Sequence, residues 1–119
     1  MGSTPELLQK AYTAFNTRNI GAVLATMHSD VDWPNGMDGG RMQGKVAVRD
    51  YWSRQWTIID PHVEPRRFTI DGAGRTVVDV HQVVRDLTGK ILSDRIVQHV
   101  YTVRDGLIER MDIKEVTTP

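Results

Sequence analysis

The sequence predicts an α+β fold in which helices come first and a long antiparallel meander follows. Two observations predict it. Through the first half, apolar residues recur at steps of three and four, whereas from Arg66 onward the period becomes two. The strand-like runs are separated by Asp71-Gly72-Ala73-Gly74, Leu87-Thr88-Gly89 and Asp105-Gly106, connections short enough only for antiparallel hairpins. No helical stretch lies between them, which excludes an alternating βαβ order. The 119 residues suffice for one hydrophobic core and are read as one domain over 1–119.

In chain order, Thr4-Pro5-Glu6 has the make-up of a helix start. Thr4 is the expected N-cap, Pro5 the first helical position and Glu6 an acid at the positive end of the dipole. Leu7, Leu8, Ala11, Tyr12, Ala14 and Phe15 form one apolar face, through to about Asn16. A second helix is predicted from Ile20 to Met27, with Asn19 as its cap. Val31-Asp32-Trp33 reads as a short strand that Pro34 stops, because proline has no N–H for a sheet ladder. Asn35-Gly36 and Gly39-Gly40 turn the chain, and Asp38-Gly39-Gly40 is expected to serve as a lid. Helical spacing returns from Lys45 to Trp56.

Ile58 to Pro65 is expected to be a connecting loop, since Asp60-Pro61 and Glu64-Pro65 disfavour helix before each proline. Four strands then follow at Arg66–Ile70, Thr76–Asp86, Lys90–Arg104 and Leu107–Val116. Strands of this length curl with their right-handed twist, so the sheet is expected to wrap round the helices as a cone open at one end. The third of them is apolar on both faces, with Val97, Tyr101 and Val103 on one and Ile96 and Val100 on the other. A second apolar face calls for a partner sheet, hence a homodimer through the outer face.

Composition narrows the function. Fifteen basic and fifteen acidic residues cancel without a basic stripe, which argues against nucleic acid. With no cysteine there is no disulfide framework and no thiolate chemistry. No signal peptide or membrane-length apolar run is seen, so a cytoplasmic protein without membrane contact is expected. Dinucleotide and P-loop fingerprints are absent, and no cofactor or metal is expected. All three tryptophans, Trp33, Trp52 and Trp56, fall in one strand–loop–helix stretch. Such a cluster walls an apolar pocket that needs few polar groups.

The order of these elements carries recognisable local sequences: Trp33-Pro34-Asn35-Gly36, then Gly44-Lys45-Val46-Ala47-Val48-Arg49-Asp50-Tyr51-Trp52, then Asp105 to Ile113 as D-G-L-I-E-R-M-D-I. It resembles the SnoaL-like group of the nuclear transport factor 2-like superfamily, relatives of polyketide cyclases, ketosteroid isomerases and limonene epoxide hydrolases. The resemblance implies a cystatin-like cone, three N-terminal helices packed on a strongly curved antiparallel sheet. By register, the isomerases' helix-one tyrosine falls at Ala11, one step from Tyr12, and their late-strand acid falls near His99. Their base falls around Trp33 to Asn35, and a network tyrosine at Trp52. In the hydrolases' pattern, Asn35 keeps a water-holding amide, Asp79-Val80-His81 stands where an Arg-x-Asp would be, and Ile113 replaces the last-strand acid.

Function follows from that layout. The cone is expected to bind a small, mostly apolar organic molecule lined by Trp33, Trp52, Trp56, His99, Tyr12, Phe15 and Met111. His81 oriented by Asp79 would be the general base, and Asn35 would hold a water or a carbonyl oxygen, giving cofactor-free isomerase, cyclase or hydratase chemistry. The inward placement of His81 follows the resemblance, since Val78, Val80 and Val84 make the more apolar face. Asp79 and His81 also suit an ordinary surface pair, and His99 a core histidine. A non-catalytic ligand-binding or dimeric interaction module is the rival reading.

Overall fold

The computed structural model describes residues 3–35 and 39–115, with the side chain of residue 115 left aside. Its elements are α1 (Thr4–Asn16), α2 (Ile20–Leu24), β1 (Met27–Pro34), β2 (Arg41–Gln43), α3 (Lys45–Gln55), β3 (Ile59–Ile70), β4 (Thr76–Asp86), β5 (Ile91–Arg104) and β6 (Leu107–Glu115). The six strands form one sheet in the order β2-β1-β6-β5-β4-β3. Consecutive strands from β3 to β6 pair antiparallel, as the hairpin sequences require. Of the expected lid Asp38-Gly39-Gly40, Asp38 lies outside the described residues.

Several expectations are corrected. The helices are not grouped at the N-terminus, because β1 and β2 come between α2 and α3. The sheet is open and not strongly curled, with β2 and β3 at its two edges. It is also mixed, since β1 lies parallel to β6. The second helix ends at Leu24; Met27 suits either period, and pairing with Ile108 takes it into β1, where it is fully buried. Ser3, one residue earlier than expected, caps α1 through its Oγ, which accepts from the Glu6 N–H at 3.3 Å.

The largest correction is at 59–65, which is strand and not loop. Proline is excluded from a strand only where its missing N–H would face a neighbour, and β3 is an edge. The backbone of Pro61, Val63 and Pro65 faces away from β4. Pro61 and Pro65 have no N–H to offer there. The Val63 N–H donates to Asn16 Oδ1 at 3.0 Å, and its carbonyl accepts from Asn16 Nδ2 at 2.7 Å. Arg18 donates to the Pro61 carbonyl at 2.8 Å and pairs with Asp60. The end of α1 thus satisfies the groups that a further strand would have met.

Strand alternation fixes what faces the helices. Val78, Val80 and Val97 are fully buried against them, with Leu8, Val31, Val48 and Ile108 in the same core. Each such side chain contributes about 1.5–3 kcal/mol on leaving water. Their register carries the same inward parity to Gln82, Val84, Ser93, Arg95, His99 and Tyr101. Val77, Asp79, His81, Gln98 and Ile96 therefore lie on the outer face. Among the described residues no helix is long and apolar enough to cross a membrane.

Candidate functional site

Between α1, α3 and the inner face of the sheet lies a cavity of about 290 Å³. Its apolar wall is mostly aromatic. Trp52 sits at the centre of the cluster, edge-on to Trp33 at 5.5 Å and to Phe15 at 5.3 Å between ring centroids. Such contacts fix ring orientation and add to the burial term. Helix α3 presents Tyr51, Trp52 and Gln55 to the cavity, and α1 presents Ala11, Tyr12 and Phe15, because each set recurs at helical spacing. Met111 closes the side of β6.

At one wall, three polar rings from distant parts of the chain form a hydrogen-bonded row. The Tyr101 hydroxyl donates to the Tyr12 hydroxyl at 2.8 Å, and the Tyr12 hydroxyl lies 2.8 Å from His99 Nδ1. The Tyr12 and His99 rings are close to parallel, at 14° and 5.8 Å. Burial drives the electrostatics. It pushes both phenols above their ordinary range, that of Tyr12 further through its proximity to Tyr101, and it lowers His99 to about 4. All three groups are therefore neutral near pH 7. With Tyr101 donating to Tyr12, the Tyr12 proton goes to Nδ1, and the neutral imidazole carries its own proton on Nε2. His99 lines the cavity, so the row ends at its wall.

The expected site residues divide. Tyr12, Phe15, Trp33, Trp52, His99 and Met111 come together round the cavity. Trp56 does not line it; its ring stacks behind Trp52 at 6.1 Å, under the Arg18 guanidinium, and its Nε1 is buried without a hydrogen-bond partner among the described residues. Asn35 also stands outside the wall, where its backbone closes the loop by bonding Gly40 and Gly39.

His81 and Asp79 are placed on the opposite face of the sheet, so they cannot reach the cavity. His81 Nε2 lies 2.7 Å from Asp94 Oδ1 and its Nδ1 lies 3.2 Å from Arg66, while Asp79 accepts from Gln98 Nε2 at 2.9 Å. Asp79 and His81 do not meet each other, and His81 lies opposite Ile96, not His99. The physical reason is strand parity: Val78 and Val80 take the core side, and residues one step away must take the other. The hydrophobic pattern of β4 already pointed this way. The expectation missed Tyr101, Gln82, Ser93 and Arg95 as cavity residues; the same parity, counted from His99, finds all four.

A helix-backed open sheet enclosing an aromatic cavity with one buried polar row defines a small α+β domain of nuclear transport factor 2-like build. The chain belongs to the SnoaL-like domain family, which matches residues 8–111. Among solved structures, TerC co-crystallised with polyporic acid is 30% identical, with 93% of this chain and 89% of that chain covered and a TM-score of 0.80. An NTF2-like protein of unknown function from Burkholderia pseudomallei is 25% identical, covering 98% and 92%, with a TM-score of 0.82. A ketosteroid isomerase-like protein from Catenulispora acidiphila in complex with trimethylamine shares the fold at 15% identity, covering 93% and 85%, with a TM-score of 0.79. No curated protein matches the chain.

Proposed function

We propose that residues 1–119 act as one SnoaL-like domain that binds a small, mostly apolar, oxygen-bearing organic molecule and polarises that oxygen without a cofactor. The observation that carries the reading is the row Tyr101–Tyr12–His99, which ends at the wall of an aromatic cavity. A neutral imidazole donating from Nε2 holds a carbonyl or enolate oxygen, and the phenols behind it strengthen the donor by polarising it. Full proton transfer along the row would leave a buried tyrosinate, which the raised phenol values oppose. The row therefore stabilises developing negative charge and does not ionise. That suits chemistry next to a carbonyl, of isomerase or cyclase type. Trp33, Trp52, Phe15 and Met111 supply apolar contact, and the TerC structure with polyporic acid supports a flat aromatic occupant.

Calorimetric titration with polyporic acid tests the binding. The wild-type chain is expected to bind it, and Tyr12→Phe to weaken binding about tenfold through loss of the hydroxyl behind His99. No heat of binding for the wild type would sink the proposal. Exchange of hydrogen for deuterium beside the carbonyl of a bound cyclic ketone, with solvent water taking the proton while His99 holds the enolate oxygen, and its loss in His99→Leu, would separate a catalyst from a binding module. A specific observation also favours a homodimer through the outer sheet face: Ile96 is 44% exposed there, beside the largely buried Val83 and Val100.

A further inference from the structure

Two polar side chains on the cavity wall stand apart from the row. On the inner face of the sheet Gln82 lies opposite Arg95 and Val84 opposite Ser93, so Gln82 and Ser93 are diagonal neighbours on adjacent strands. Both line the cavity. Both are half-buried, and Ile91, Leu92 and Arg95 next to them are exposed, so this is the mouth. His99, at 6% exposure, marks the inner end. Other polar groups of the wall already have partners. Gln55 donates from Nε2 to the Tyr51 hydroxyl at 3.2 Å, Arg95 is itself engaged, and Tyr101, Tyr12 and His99 hold one another. Among the described residues no hydrogen bond holds the side chain of Gln82 or of Ser93. Four strand steps separate the level of Gln82 and Arg95 from His99, roughly 13 Å at the usual rise.

We propose that Gln82 and Ser93 form a hydroxyl-recognising subsite at the mouth, and that the ligand is an elongated aromatic ketone with a neutral hydroxyl at the end remote from its carbonyl. An amide presents a donor and an acceptor side by side, and a serine hydroxyl can play either part. A group that satisfies both must itself donate and accept, and a hydroxyl is the smallest that does. A methyl ether only accepts, so it leaves the Gln82 carbonyl oxygen without a donor and sets a methyl group against it. Neither side chain carries charge, so the discrimination rests on hydrogen-bond pattern and changes little with salt. The span from mouth to inner end suits two linked aromatic rings better than one. This assignment rests on the ligand-binding reading of the cavity, which puts the carbonyl at His99.

The test uses two matched probes, para-acetyl-para′-hydroxybiphenyl and its methyl ether, titrated calorimetrically into the full chain at pH 7, where the phenol is neutral. The wild type is expected to bind the phenol about tenfold more tightly than the ether. Ser93→Ala alone is expected to reduce that preference to about threefold. The double variant Gln82→Leu, Ser93→Ala is expected to abolish it while keeping affinity for the ether within about threefold, which also reports an intact cavity. His99→Leu acts at the other end, so it is expected to weaken both probes by a similar factor and to keep the preference. Equal affinity of the wild type for the two probes, or a preference that survives the double variant, would overturn the subsite and leave the cavity as a ligand site. Loss of the preference in His99→Leu would put the hydroxyl at the inner end and overturn the assignment as well. Binding of neither probe would overturn both the subsite and the ligand-binding reading.

Discussion

At the scale of a residue, His99 is the group whose surroundings have the clearest measurable effect. Its value is about 4 in the fold against 6.5 in an exposed chain, because burial penalises the imidazolium. The unfolded chain therefore takes up a proton that the folded one refuses. The contribution of this one residue, about 3 kcal/mol, is present well above pH 6.5 and is progressively lost as pH falls from there through about 4. Urea midpoints measured at pH 7 and pH 4.5 should show that fall for the wild type, and a clearly shallower one for His99→Leu. Identical pH slopes in the two proteins would mean that His99 is hydrated or ionised in the fold. The partnership behind this effect was invisible along the chain. Tyr12 and His99 are 87 positions apart, and only the register of β4, β5 and β6 under α1 brings them to hydrogen-bonding distance.

At the scale of an element, the helices show which local rules hold. Gly44 caps α3 at φ 93° and ψ 155°, a backbone region closed to residues with a Cβ. Gly44→Ala is expected to cost about 1–3 kcal/mol even though nothing crowds the added methyl, whose nearest neighbour would be the Ser29 carbonyl at 3.6 Å. Gly21, in α2, has ordinary φ and open space, so Gly21→Ala should instead gain about 0.5–1 kcal/mol. Chemical denaturation of the two variants reads both signs; a stabilised Gly44→Ala would mean that α3 starts elsewhere. Helix starts and hairpin turns were legible to within a residue because caps, periods and turn glycines act over a few residues, whereas the end of α2 was not, since Met27 suits either period. The strand at 59–65 was not, because whether proline is tolerated depends on which strand is the edge, a property of the finished sheet. His81 is the opposite case: its outward parity is readable from Val78 and Val80, and only the register of distant relatives points inward.

For the whole molecule, the outer sheet face is organised by charge as well as by apolar groups. Asp32 and Asp112 are bridged by Arg41 and Arg110 across β2, β1 and β6, while the β4–β5 side mixes Val77, Val83, Ile96 and Val100 with the polar groups of Asp79, His81, Asp94 and Gln98. Exposed ion pairs of this kind add little stability each, though they set orientation well. If a second copy covers this face, Ile96→Glu should convert a dimeric wild type to monomer in sedimentation equilibrium, with the α1–α3 cavity unaffected. A monomeric wild type at high concentration would remove the dimer from the reading. The α+β class and the family were legible because they rest on element order, which survives small shifts in register. The cavity chemistry was not, because a one-residue slip moves a side chain through the sheet.

The bonds from Asn16 and Arg18 to β3 have a further consequence. A sheet edge is normally adhesive: any extended peptide, including an unfolding neighbour, adds to it through free amides. Here two prolines and one asparagine leave no such amide between Pro61 and Pro65, and the opposite edge, β2, is three residues long. Pairing of a further strand along this part of β3 is thereby disfavoured, whether by a peptide partner or by a second copy. Contacts with other molecules are thereby steered toward the faces of the sheet, and the template that a cross-β assembly would need is shortened at both edges.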